Sequence, residues 1–326
     1  MVHFIHSRIC AHPIEVTLLK IGIPRAFLYY RYHTLWETFL EELGVDFIVS
    51  PPTNKAILNA GSICAIDEAC LPMKIFLGHV DWLIGRCDKI FLPRAASMGR
   101  QGSVCMRFQA AYDVVANTFR DRGIALLDFD IDLRKNGGEL ENFLSLGRAA
   151  GKKKAQTLHA YLAARQADKA VATSELLHQR DMLQDRRCKI LVVGHHYNVY
   201  DPYVGGPVLD CLRALGTVPI LADIVDRREA LEHCETISST LPWAFNRELV
   251  GAIDIYRRYV DGIVLMSTFP CGPDSLVNEI VLRRVRGLPI LNLLIDGQEG
   301  TAGLETRLES FVDIIHFKRE EDITLA

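Results

Sequence analysis

Short unbroken apolar runs alternate along this chain with stretches whose apolar residues recur every three or four positions. In the first half the runs are Val16–Ile23, Val45–Ser50, Lys89–Arg94 and Ala125–Ile131. Apolar runs without polar alternation are strands covered on both faces, as in parallel sheets. Between the first two, Leu28, Tyr32, Leu35, Phe39 and Leu43 mark one face of an amphipathic helix that Gly44 stops. A short helix to Asn59 follows Pro51-Pro52. Pro72 opens a helical stretch through His79, Trp82 and Leu83, and Phe108, Tyr112, Val115 and Phe119 mark another.

From Glu139 to about Arg187 the pattern is helical and more polar, which reads as helices bridging two domains or as an exposed dimerisation arm. The strand–turn–helix rhythm restarts at Lys189–Gly194 and continues through Val218–Ala222, Gly262–Met266 and Pro289–Ile295. Leu304, Leu308, Phe311 and Ile315 give the closing helix its apolar stripe. The predicted fold class is α/β, with two Rossmann-like, doubly wound parallel-sheet domains at residues 1–135 and 188–326 and bridging helices at 136–187. Residues before Val16 carry no clear pattern.

Composition narrows the function classes. A chain of 326 residues can bury two cores, and 49% hydrophobic with 24% charged residues is ordinary for a soluble protein. A net charge of −3 without a clustered Lys/Arg face excludes a nucleic-acid field; Lys152-Lys153-Lys154 reads as a solvated helix start. No apolar stretch approaches the roughly 20 residues of a membrane span, and Met1–His6 lacks a signal-peptide layout, so the expected location is cytoplasmic. Nine scattered cysteines without a Cys-x-x-Cys pair exclude a disulfide framework and disfavour a zinc ribbon or a ferredoxin-type cluster. A metal site would have to be assembled from distant loops.

Cys70, Cys105 and Cys271 share one context, each preceding a predicted helix. Cys271 follows the Gly262–Met266 strand, at an edge where open α/β sheets place ligands. A helix amino end favours a thiolate by only about 0.3–1 kcal/mol. That is little for three such thiols, but it suits ligands of a cationic metal centre; the other reading is three separate buried cysteines. Cys10, Cys188, Cys211 and Cys234 read as packing residues, and Cys64 and Cys87 as accessory at most. His195-His196 follows a strand, and adjacent histidines point apart, so one of the two at most enters a cleft. Gly205-Gly206-Pro207 is a turn and lacks either phosphate-loop pattern. Asp296 and Glu299 lie on another strand-end loop and are functional or merely solvated.

At these residues the chain resembles the 2-hydroxyacyl-CoA dehydratase and benzoyl-CoA reductase superfamily, in its dehydratase-activase-related branch (the DUF2229 type). The likeness runs from Ile21-Gly22-Ile23-Pro24-Arg25-Ala26 through Glu68-Ala69-Cys70-Leu71-Pro72-Met73-Lys74, Gly78-His79-Val80 and Phe91-Leu92-Pro93-Arg94. It continues at Gly194-His195 with Tyr197-Asn198, at Phe269-Pro270-Cys271-Gly272-Pro273-Asp274-Ser275 and at Thr306-Arg307-Leu308-Glu309. Cys105-Met106-Arg107 stands where the branch has Cys-Pro-Lys, and Asp296-Gly297 where it has Asp-Glu.

The resemblance implies an oxygen-sensitive iron–sulfur cluster in the interdomain cleft, [4Fe-4S] or a double-cubane [8Fe-9S], ligated by Cys70, Cys105 and Cys271. It also implies an iron with a non-cysteine ligand and electrons from an activator ATPase of the sugar-kinase/Hsp70/actin type. The implied activity is that of a low-potential reductase or dehydratase-like component acting on an acyl-CoA or other small molecule, as a homodimer or with a paralogous subunit. The alternative is a cluster-carrying electron-transfer or scaffold subunit. Glu68, Lys74, His79 and Ser275, with His196, are the expected polar lining, a set in which Lys74 and His79 have equally good structural readings. If the thiols come from both domains, the metal helps to hold the domains together.

Overall fold

A computed structural model describes residues 19–98, 102–132, 138–297 and 302–325. Val16–Leu18, Cys10 and Gln298–Gly300 lie outside these residues. The first half runs β1 (Lys20–Ile23), α1 (Tyr29–Glu42), β2 (Asp46–Val49), α2 (Lys55–Cys64), α3 (Leu71–Leu83), β3 (Lys89–Ser97), α4 (Met106–Gln109), α5 (Ala111–Thr118) and β4 (Leu126–Asp132). Two helices follow, α6 (Gly138–Ala149) and α7 (Lys154–Met182). The second half runs β5 (Lys189–Val193), α8 (His196–Val199), α9 (Gly206–Ala214), β6 (Val218–Leu221), α10 (Arg227–Ile237), α11 (Ala244–Tyr256), β7 (Gly262–Thr268), α12 (Gly272–Arg284), β8 (Ile290–Ile295) and α13 (Ala302–Leu325).

The strands form two four-stranded sheets, ordered β2-β1-β3-β4 and β6-β5-β7-β8, with every pairing parallel. The fold is therefore α/β with two doubly wound sheets. Each order reverses direction once, between β1 and β3 and between β5 and β7, and the loops leaving those strands flank a crevice. None of the described helices is long and apolar enough to cross a membrane.

The sequence logic of the elements is local. Leu35, Trp36, Phe39 and Leu40 bury the inner face of α1, and Gly44, at φ 60°, supplies the left-handed residue that ends it. Helix α3 is apolar nearly all round and accordingly buried on most sides. Helix α7 is mostly polar and lies along α1; at its far end Gln179 bonds the carbonyls of Leu221 and Ile224 and accepts from the Leu221 amide, pinning the β6 edge. The connection from β5, expected as a loop, contains the one-turn helix α8 with His195 as its N-terminal cap.

One core cluster runs through both halves, including Ile21 and Phe91 from the first sheet and Val264 and Met266 from the second. Its aromatic seam is Phe27–Phe108 (ring centroids 4.7 Å), Phe108–Tyr197 (5.4 Å) and Phe108–Phe245 (5.9 Å). Phe27 holds φ 50°, an unfavourable region for a bulky residue, while its ring is packed against Phe76, Phe108 and Tyr197.

Close backbone approach fixes the loops that matter. A Cβ on Gly61 of α2 would stand 1.7 Å from the Lys74 carbonyl oxygen of α3, so only glycine lets these helices touch. Gly61→Ala is expected to destabilise the protein by about 1–3 kcal/mol, the usual range of overpacking, and to displace the Cys70 turn that precedes α3. A lowered thermal midpoint checks the first effect.

Candidate functional site

Three cysteines cap three helices. Cys70 precedes α3, Cys105 precedes α4 and Cys271 precedes α12, with Pro72 and Pro273 in the first turns of α3 and α12. Of the three sulfurs, that of Cys105 accepts a hydrogen bond from the turn it caps, from the Arg107 amide (3.5 Å), whereas those of Cys70 and Cys271 make no such cap bond. Backbone bonds also tie the three segments together. The Leu71 amide donates to the Phe269 carbonyl (3.1 Å), linking the Cys70 and Cys271 loops. Ser103 pairs with the strand-like residues before α11, donating to Pro242 O (3.2 Å) and accepting from Ala244 N (2.9 Å). At Gly102, φ 118° and a Pro242 oxygen 2.6 Å from any added Cβ leave room for glycine only.

All three thiols line one narrow recess of about 30 Å³. Phe27, Phe108, Tyr197, Trp243 and Phe245 make its walls largely aromatic. Burial pushes all three thiols up from their ordinary range, Cys271 furthest, because Asp274 adds a neighbouring negative charge. Cys105 adds to the rise at Cys70, and Cys70 to that at Cys271, as expected of like groups gathered at one place.

Behind Cys271 lies a buried polar pair. The Asp274 Oδ1 accepts from His195 Nε2 (2.9 Å) and Asn246 Nδ2 (2.9 Å). Burial raises the Asp274 carboxyl, but His195, Asn246 and the Cys271 thiol outweigh it and hold it below the usual range. His195 lines the recess and is 5% exposed, and its Nδ1 has no hydrogen-bond partner. His196 is also buried, but its ring packs edge-on against Tyr197 and Phe245, away from the recess walls. Sequence reasoning did not single out Asp274, Asn246 or Phe245. An acid in the first turn of a helix normally faces water, and Asn246 and Phe245 lie in a separate helix with no local cue.

The expected polar lining is dispersed. Glu68 is exposed and offers its carbonyl to Arg107 Nη2 (3.3 Å). Ser275 is exposed, and its hydroxyl donates to Cys271 O (2.7 Å). Lys74 bonds the Asp67 carbonyl (3.2 Å) and lines a separate recess with Leu58, Leu71, Phe269 and Asp296.

His79 is fully buried in a chain of polar groups that joins the halves. Its Nδ1 meets Ser50 Oγ (2.8 Å) and its Nε2 meets Thr53 Oγ1 (2.9 Å), while Thr53 and Tyr30 both donate to Asp201. Thr53 has one hydroxyl proton and gives it to Asp201, so it must accept from His79, whose proton sits on Nε2. Burial, with help from Arg25, pulls His79 down to about 3. The unfolded chain takes up this proton near pH 6.5, the native chain only near 3. The stabilising contribution is therefore full above about 6.5 and is lost as the pH falls from there towards 3. His79→Gln is expected to lose stability less steeply than the parent between pH 6.5 and 5, by thermal unfolding; equal slopes would contradict this.

Among the described residues, no group of three His, Cys, Asp or Glu side chains is arranged to hold a metal ion. A family model, the CoA enzyme activase uncharacterised domain (DUF2229), matches residues 20–225. That span contains Cys70 and Cys105; Cys271 lies beyond it. None of the curated proteins matches the chain. Among solved structures, the chain is 11% identical to a zinc-bound variant of AdcAII from Streptococcus pneumoniae, covering 91% of this chain and 98% of that one, with a TM-score of 0.30. The laminin-binding adhesin Lmb of Streptococcus agalactiae is 11% identical over 92% of this chain and 98% of that one (TM-score 0.27), and ZnuA is 14% identical over 91% and 98% (TM-score 0.22). Similarity this low carries no functional argument.

Proposed function

Because the chain belongs to this family of CoA enzyme activase-related domains, we propose that it is a cytoplasmic iron–sulfur electron-transfer protein. In this reading it takes electrons from an activator ATPase of the sugar-kinase/Hsp70/actin type and passes them on in a system of the 2-hydroxyacyl-CoA dehydratase or benzoyl-CoA reductase kind. Cys70, Cys105 and Cys271 would hold the cluster. The observation that carries the proposal is their convergence, from three helix starts and both sheets, on one recess.

The donor set fits such a group. A single tetrahedral zinc needs sulfurs about 3.8 Å apart, given Zn–S bonds of about 2.3 Å, and the described residues offer no such close triad. A cluster binds each thiolate through a different iron, so its ligands stand further apart. Thiols raised by burial, as these are, become thiolates when a cation takes them. The helix amino ends that follow the three cysteines, and the Arg107 amide at Cys105, then offset the added negative charge, and the aromatic walls keep water from the centre. When bound, the cluster supplies one-electron redox chemistry.

Electron carriage is favoured over substrate turnover because, among the described residues, the expected acid–base set is absent from the recess wall and the imidazole that is present, His195, is tied to Asp274. Glu68, Lys74, His79 and Ser275 all lie elsewhere, and Arg107 and His195 are the titratable groups other than thiols and Tyr197 in its wall. Turnover of an acyl-CoA or other small molecule then belongs to a second, paralogous subunit or copy. Anaerobic reconstitution with ferrous iron and sulfide tests the proposal. The chain is expected to take up about four irons and about four sulfides, with a visible absorption that dithionite bleaches. Uptake no greater than that of a variant lacking all three cysteines would overturn it.

A further inference from the structure

We infer that His195 supplies the remaining, non-cysteine ligand of this site through Nδ1, closing the centre to substrate. The inference rests on the cluster reading above. His195 stands in the same recess wall as the three thiols, buried and with Nδ1 lacking any protein partner. Its other nitrogen is committed to Asp274 at 2.9 Å. A carboxylate at one imidazole nitrogen is the arrangement that orients metal-binding histidines: the carboxylate accepts the Nε2 proton, and the neutral ring is left with a bare lone pair on Nδ1.

Asp274 is in turn fixed by Asn246 Nδ2 at 2.9 Å, which makes it a positioning residue for the ring. The ring plane is held by stacking on Tyr197, with centroids 5.0 Å apart and planes 13° from parallel. A desolvated lone pair with nothing to accept is unfavourable, and a bound cation satisfies it. The other polar groups in the wall are worse ligands: Arg107 is a cation, and Asn246, Tyr197 and Thr268 offer neutral oxygens. His196 also has an unpartnered nitrogen but is absent from the wall.

A centre with three thiolates and one imidazole has no open iron. It can relay electrons but cannot bind a substrate oxygen, which separates a carrier from a dehydratase-like component.

Pulsed electron paramagnetic resonance on the reduced, anaerobically isolated full chain tests this, in natural-abundance and ¹⁵N-histidine-labelled forms. The expected result is a directly bound nitrogen coupling that changes on histidine labelling in the parent and is absent from any cluster signal that reconstituted His195→Gln retains. The labelled parent protein answers the question even if the variant fails to fold. A cluster signal without histidine nitrogen coupling, or a coupling that survives His195→Gln, overturns the ligand and leaves the cluster reading standing. Absence of any iron and cluster signal in the parent overturns both.

Discussion

Cys271→Ala is expected to abolish stable cluster binding while leaving the apo chain folded. Losing even an outer partner of a metal ligand costs about 10–100-fold in affinity, and removing a ligand costs more. Iron retained after desalting should therefore fall by well over about tenfold. The fold should tolerate the change, because Cys271 is half-buried and its backbone contacts do not depend on the sulfur. The sequence leads one to expect that a shared metal helps hold the halves together. The aromatic seam of Phe27, Phe108, Tyr197 and Phe245, and the polar chain from His79 to Asp201, already do so without it. Small-angle scattering of apo Cys271→Ala should accordingly superimpose on that of the apo parent. An expanded profile would show that the sulfur has a structural role of its own.

Glu248→Ala is expected to produce the largest loss of stability among single side-chain changes at the domain seam, about 3–5 kcal/mol. Arg31 Nη2 on α1 meets Glu248 Oε2 on α11 at 2.7 Å, with the two side chains only 10% and 8% exposed. The Arg31 guanidinium also lies 4.7 Å from the Phe245 ring centroid, so it cannot swing into water without unpacking the seam. Removing the carboxylate strands a buried cation without its hydrogen-bonded counter-ion; the Asp223 carboxylate acts on Arg31 through space and makes no hydrogen bond to it. Denaturant unfolding at neutral pH measures the effect, and a loss under about 1 kcal/mol would contradict it. Replacing both partners by apolar residues of similar size should cost much less than the single change, because no charge is then left unpaired.

The strands were legible because parallel strands covered on both faces must be apolar throughout. Lys189–Val193, Gly262–Thr268 and Ile290–Ile295 each lie within or extend a run visible in the chain. The helix starts at Cys70 and Cys271 were legible for the same kind of local reason, a proline in the first turn. What was not legible depends on contacts between distant segments. His195 and His196 are neighbours on a turn entering a one-turn helix, and only the packing of Phe245 and Tyr197 decides which one reaches the recess. Asp274 reads as an ordinary first-turn acid; its partners are 28 and 79 residues away. His79 sits in a stretch that matches a site motif, yet its two ring nitrogens are spent on Ser50 and Thr53.

The recess walls came from the least predictable place. Trp243 and Phe245 belong to the entry of α11, which reaches the Cys105 segment through the Ser103 backbone pairing. No apolar period announces such a contact, because it is made by a chain end and a turn rather than by a helix face.

Cys70, Cys105 and Cys271 are proposed to bind a polynuclear iron–sulfur centre together. Iron K-edge X-ray absorption on the anaerobically reconstituted full chain tests this most directly, since it separates a cluster from a lone ion. The expected spectrum has a sulfur-dominated first shell with a strong iron–iron scattering path, both lost when the three cysteines are replaced by alanine. A first shell of oxygen and nitrogen, or iron without an iron–iron path, would contradict it.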